Sequence, residues 1–271
     1  MHLSKRIYTA FLLLFSSATG YSQTSEEAIG AVNYTFMHQR DTSSATYYME
    51  EMSLVFGRSS SVYLSQTRQK SDSVIRAKVA QQLKEGGHMN LGRVNTNYTK
   101  QNYYHFFSKN LAVIESPFLS DLYVFNDSVP TIKWTISADT KTIGGYNCQK
   151  ATGYFAGRQY EAWFCPDLAV NTGPWKLSGL PGLILEATDS KQQIKFLFKE
   201  IYNLKGSGQT IAVPATAIKT TRADFRKMLK AYSETPEAFN NTGLDVKVTR
   251  NPSAPAAPRM NNPMELSTEN K

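Results

Sequence analysis

Chemistry in this chain would have to start from its histidines, cysteines, thioethers and carboxylates, and these are sparse and scattered. Beyond His2 there are only His38, His88 and His105. No HExxH or CxxC spacing occurs, so a zinc site is not expected. Met37-His38 and His88-Met89 are adjacent pairs with Met49 and Met52 between them, and thioether with imidazole suits copper(I). A copper-handling role is a lesser reading, because neighbours on a strand face opposite ways and cannot chelate together. The nucleophile signatures GxSxG and SxxK are absent, and Ser178 beside Gly179 has no base nearby. Asp139, Glu161, Asp167 and Glu186 could include an acid pair in three dimensions, but surface carboxylates are their simplest role. The stretch Gly173 to Asp189, GPWKLSGLPGLILEATD, is dense in glycine and proline yet lacks GxxxxGK[ST]. It reads as a turn feeding a strand, with Pro181 and Gly182 at the centre of a type II turn. No catalytic residue, cofactor or metal site is expected.

The two cysteines, Cys148 and Cys165, bracket CQKATGYFAGRQYEAWFC, which reads as two strands around a turn at Ala156-Gly157. Pairing Phe155 with Arg158 and counting outward sets Cys148 opposite Cys165 at a non-hydrogen-bonded position. Opposite Cα atoms there come to about 4.5 Å, within disulfide range. A Cys148–Cys165 bridge is therefore expected, and it fits an oxidising compartment.

Export is expected on separate grounds. Lys5 and Arg6 precede the apolar run Ile7 to Phe15, and small residues follow, the pattern of a signal peptide over residues 1–22. Its removal deletes two cations and no acid from a chain of net charge +8. The remaining positive charges form no run, so nucleic acid is a poor partner, and no transmembrane segment remains after cleavage.

The elements that must position these residues are mostly strands. Val32, Tyr34 and Phe36 alternate with their neighbours, and Met52 to Ser65 reads as a hairpin around GRSSS. From Asn102 onward short apolar runs follow one another, through Ile132-Lys133-Trp134 and on to Gln193–Leu204, as in an antiparallel meander. Two helices are expected. One spans Asp72 to Glu85 with a thin stripe of Ile75, Val79 and Leu83. The other spans Thr221 to Tyr232, with Phe225, Met228, Leu229 and Tyr232 on one face and Asp224 completing a capping box. Asp72-Ser73-Val74 and Asp127-Ser128-Val129 have the form of an O-glycosylation acceptor. The fold class is mainly β: a curved antiparallel sheet or half-barrel with one or two helices packed on it. Residues 23–250 form a single domain, and 251–271, rich in proline and asparagine, an extended or disordered tail.

Several stretches together resemble a known family. Ile132-Lys133-Trp134, Lys141 to Ala151, Gly157-Arg158, Ala162-Trp163-Phe164, Gly173-Pro174, Gly179-Leu180-Pro181-Gly182-Leu183-Ile184 and the closing Asn262-Pro263-Met264-Glu265-Leu266 are similar to the GLPGLI family of secreted Gram-negative proteins. That family has no established activity, so the resemblance implies no catalytic residue. It implies a secreted or envelope-associated protein, periplasmic, outer-membrane associated or extracellular. The function expected is that of a non-catalytic binding protein, taking an apolar ligand or peptide in the groove between sheet and helix. Its alternative is an adaptor of an outer-membrane uptake complex. An apolar ligand or an envelope protein is the partner expected.

Overall fold

The computed structural model describes residues 25–85, 97–239 and 260–266. The expected signal peptide, the pair His88-Met89 and the tail other than residues 260–266 lie outside them.

The chain builds β1 (Glu26–Glu27), β2 (Gly30–His38), β3 (Tyr48–Phe56), β4 (Ser60–Ser65), α1 (Gln66–Glu85), β5 (Asn102–Phe106), β6 (Leu111–Phe118), β7 (Asp121–Ser128) and β8 (Trp134–Ile143). There follow β9 (Tyr146–Phe155), β10 (Arg158–Cys165), β11 (Leu183–Asp189), β12 (Ile194–Asn203), β13 (Thr210–Ile211), β14 (Ile218–Lys219), α2 (Arg222–Glu234) and a 3-10 turn over Pro236–Phe239. Twelve strands form one mixed sheet in the order β14-β7-β6-β5-β4-β3-β2-β12-β11-β10-β9-β8, not closed into a barrel. It consists of two antiparallel meanders, β2 to β7 and β8 to β12, joined where β2 pairs with β12. Among the described residues the lone parallel contact is β14 on β7. A separate two-stranded pair unites β1 and β13.

Alternation decides what each face buries. Val32, Tyr34 and Phe36 of β2, Met52 and Leu54 of β3, and Phe196 of β12 share one core with Tyr160, Ala162 and Phe164 of β10. The opposite face buries a smaller cluster of Ala31, Val55, Val62, Val113 and Val124 with Ile211. The larger core requires a strongly bent sheet. Trp175 packs at a tilt against Phe155 of β9, while its neighbour Lys176 reaches Asp127 of β7. Nine strand spacings separate β7 from β9, about 43 Å if the sheet were flat. The loop 166–182 occupies the resulting hollow, with Leu177 and Leu180 fully buried.

The hairpin between β9 and β10 has the expected register, Phe155 opposite Arg158 and Gln149 opposite Phe164. Ala156 and Gly157 take φ of 50° and 79°, the pair of positive values that a two-residue turn on twisted strands requires. The Cys148–Cys165 disulfide is present, its Cα atoms 4.2 Å apart.

Both helices occur, with one boundary displaced. α1 begins at Gln66 rather than Asp72, because Ser65 at the end of β4 accepts a hydrogen bond from the Arg68 amide and caps the helix there. Its stripe is weakly used: Ile75 and Val79 are half-buried and Leu83 is exposed. α2 starts where the capping box places it, the Thr221 hydroxyl accepting from the Asp224 amide at 3.0 Å. Phe225 is buried against Phe118, Tyr123 and Phe125, and Tyr232 meets Phe118 from the same face. Among the described residues no helix is long and apolar enough to cross a membrane.

Candidate functional site

Four charged side chains from four separate places meet at the mouth of the hollow. Asp127 stands near the end of β7 and Arg222 opens α2, while Lys176 comes from the loop 166–182 and Glu265 from the segment 260–266. Lys176 Nζ lies 2.8 Å from Asp127 Oδ2 and 2.6 Å from Glu265 Oε1, and Arg222 Nη2 also pairs with Asp127. The Lys176 and Asp127 side chains are only 11% and 10% exposed. Burial alone would raise the Asp127 carboxyl, but the Lys176 ammonium, the Arg222 guanidinium and the Ser128 amide outweigh it and hold the group below its ordinary range. Asp127 is therefore ionised and fixes two cations around itself.

Behind this cluster lies a recess of about 150 Å³ walled by Phe36, Tyr63, Tyr103, Phe125, Trp175 and Phe196. The Tyr63 hydroxyl is buried without a hydrogen-bond partner among the described residues. Such groups are rare in native interiors, where another protein group, a water or an ion ordinarily completes them. Burial pushes the Tyr63 and Tyr103 phenols up, with the charge of Glu50 adding at Tyr63 and those of Asp127 and Glu265 at Tyr103; both remain neutral donors. Two cations at a weakly solvated recess stabilise an oxygen that gains negative charge, as a carbonyl oxygen does when its carbon is attacked.

The residues singled out from sequence are distributed differently. Gly173, Pro174, Gly179, Leu180, Pro181, Gly182, Leu183 and Ile184 form the corner that suspends Trp175 and Lys176. The corner closes differently from the expected type II turn. Gly182 donates to Leu180 O at 2.8 Å, a tighter turn centred on Pro181, and Leu183 N–H turns to Leu168 O instead of Leu180. Gly182 has φ of 150°, and a Cβ there would stand 2.3 Å from the Cys165 carbonyl oxygen. Ser178 is buried and its backbone carbonyl accepts from the Trp134 indole at 2.8 Å. Of the acids, Asp139 and Glu161 share Lys150, Glu186 pairs with Lys141, and Lys141, Lys150 and Glu161 surround Trp163. Asp167 is exposed after β10 and joins none of them.

The copper reading is corrected by His38. Its Nε2 is bonded at 2.7 Å to Asn262 O, and burial, with Arg40 and Arg158 nearby, holds the ring below its ordinary pKa. No group of three histidine, cysteine, aspartate or glutamate side chains able to hold a metal exists among the described residues. Residues 260–266, part of the expected extended or disordered tail, are docked, for Arg158 binds Asn262 Oδ1 and the carbonyls of Pro263 and Met264. Lys176 and Asp127 stood in stretches noted for other reasons. Arg222, Tyr63 and Tyr103 carried no spacing signal at all.

Residues 106–222 match the family model described as N-glycanase peptide, N-terminal domain. Two solved structures of PNGF-II, in space groups P21 and C2, each align with 75% of this chain at 11% identity and a TM-score of 0.50. At that identity the likeness concerns the fold alone. The chain spans about a third of the length of those structures, covering 33% of each. A comparison with curated proteins found no match. These findings overturn the GLPGLI resemblance, since the family that matches is an N-glycanase one. With it falls the reading of a non-catalytic protein that binds an apolar ligand or peptide or serves an uptake complex, and the expectation that the chain is no enzyme. The physical reason is local. The hexapeptide Gly179–Ile184 meets the packing demands of a crowded corner, which says little about chemistry, and the charged cluster has no linear signature to find.

Proposed function

We propose that this chain acts in the release of N-linked glycans, as a domain of N-glycanase type whose working surface is the recess behind Asp127, Lys176 and Arg222. The observation that carries this is one of placement: all three residues fall inside the segment 106–222 that matches the N-glycanase domain model. Releasing a glycan from asparagine hydrolyses an amide, and the carbonyl oxygen becomes negative as its carbon is attacked. Lys176 and Arg222 are placed to favour that charge, Asp127 holds them in position, and the aromatic walls suit the apolar faces of a sugar or side chain. We place the protein in an exported compartment, supported by the Cys148–Cys165 bridge and by the charged and apolar pattern of residues 1–22.

The test is incubation with an N-glycosylated peptide, followed by mass spectrometry for the freed glycan and for asparagine converted to aspartate. Release is expected from the wild-type chain, and Lys176→Met should lower its rate by about 10²-fold, the scale for loss of one charge-stabilising group. A wild-type chain that neither releases glycan nor distinguishes the glycopeptide from its sugar-free form in a binding assay would remove the reading.

A further inference from the structure

Residues 260–266 have two unlike halves. The first is an anchor. Asn262 is buried, its Nδ2 donates to Gln39 O at 2.7 Å, its Oδ1 accepts from Arg158 at 2.5 Å, and its own carbonyl meets His38. The second half lies across the recess: Met264 and Leu266 are half-buried, Glu265 is exposed, and the Met264 carbonyl accepts from Arg158 at 3.1 Å. Met264 and Glu265 line the opening, Glu265 is 47% exposed, and its carboxylate is bonded to Lys176 at 2.6 Å. Leu266 N–H ends the crossing on Ala156 O at 3.0 Å.

The space left behind is about 150 Å³, well below the roughly 300–1,000 Å³ of an ordinary ligand pocket. Within it the Tyr63 hydroxyl has no partner among the described residues. The recess is thus furnished for a polar occupant and shut to one of useful size.

We propose that Met264 and Glu265 form a latch over the recess, resting on the reading of that recess as the glycan-release site. Opening separates the Glu265 side chain from Lys176 while Asn262 and the Met264 carbonyl stay on Arg158, so that a glycopeptide enters only as the Lys176 ammonium is given up by Glu265. An ion pair with one partner this exposed is a weak fastening, suited to a part that must move. The buried bonds of Asn262 give the moving part a fixed pivot.

The latch is tested through access to the recess. A thiol introduced by Ile114→Cys, on the recess wall, is labelled with a water-soluble maleimide while the native disulfide stays intact. Adding Glu265→Gln is expected to raise the labelling rate about two- to fivefold, the equilibrium shift that loss of one exposed ion pair brings. High salt is expected to raise the rate of the parent protein in the same direction. Hydrogen exchange at the Leu266 amide, measured without the added cysteine, should accelerate in Glu265→Gln alone. Labelling and exchange rates unchanged by Glu265→Gln overturn the latch. A glycopeptide that engages neither protein counts against the functional reading, and the two rates alone decide the latch.

Discussion

Arg158 is the residue on which most of the site's surroundings converge. Its guanidinium bonds Asp189 at 2.8 Å, Gln193, Asn262 and two carbonyls of the docked segment, and both members of the Arg158–Asp189 pair are only 2% exposed. Asp189 also accepts from the amides of Gln193 and Ile194, so one carboxylate fixes both an arginine and the start of β12. Asp189→Asn leaves the guanidinium buried without its counter-charge and should cost about 3–5 kcal/mol in denaturant unfolding; a loss under about 1 kcal/mol would show that the remaining acceptors suffice. At this scale the sequence disclosed what was local. The cysteine pairing followed from a seventeen-residue separation and a turn between. The Asp127–Lys176 pair did not, because nothing in either neighbourhood anticipates a sheet bent far enough to join them.

At the scale of elements, strands were legible where one face is wet and the other packed, as in β2. The start of α1 was not, because Ser65 reads equally as the last residue of a strand and as a helix cap, and it is both. The turn joining β3 to β4 shows a further device that no local pattern announces. Glu26, in the two-residue β1, sends its carboxylate into that turn and accepts from the Arg58 and Ser59 amides and the Ser59 and Ser60 hydroxyls. Burial tends to raise the carboxyl, but these bonds more than offset it and its pKa lies below the ordinary value. The sign follows from linkage. The unfolded chain binds the proton more readily, so the stabilisation is complete above the unfolded pKa and is lost as pH falls through the folded one. Glu26→Gln should therefore flatten the acid side of a melting-temperature profile, and profiles that stay parallel for mutant and wild type would refute the role.

For the whole molecule, the expected curved β fold holds, but its join does not follow chain order. Each meander connects consecutive strands and could be read along the sequence, whereas the β2–β12 pairing that unites them spans most of the chain. The Cys148–Cys165 bridge lies in the second meander and fastens β9 to β10 where the loop 166–182 departs. Replacing both cysteines by serine should lower stability by about 3 kcal/mol, the loop-closure value for a crosslink of this span. Equal denaturation midpoints for the two proteins would argue that the sheet needs no crosslink there.

Loop 166–182 turns the usual relation between loops and cores around. Surface connections ordinarily accept insertions and drift in length, and function rides on that freedom. This one has no regular structure, yet Thr172, Gly173, Pro174, Leu177, Ser178, Leu180 and Gly182 are buried, and a backbone contact at Cys165 leaves Gly182 no room for a side chain. Its length is thus set as strictly as a strand's register. Lys176 hangs from it as from a ruler with both ends clamped, and among relatives of this fold the site should vary by exchanging side chains along the ruler, not by changing its length.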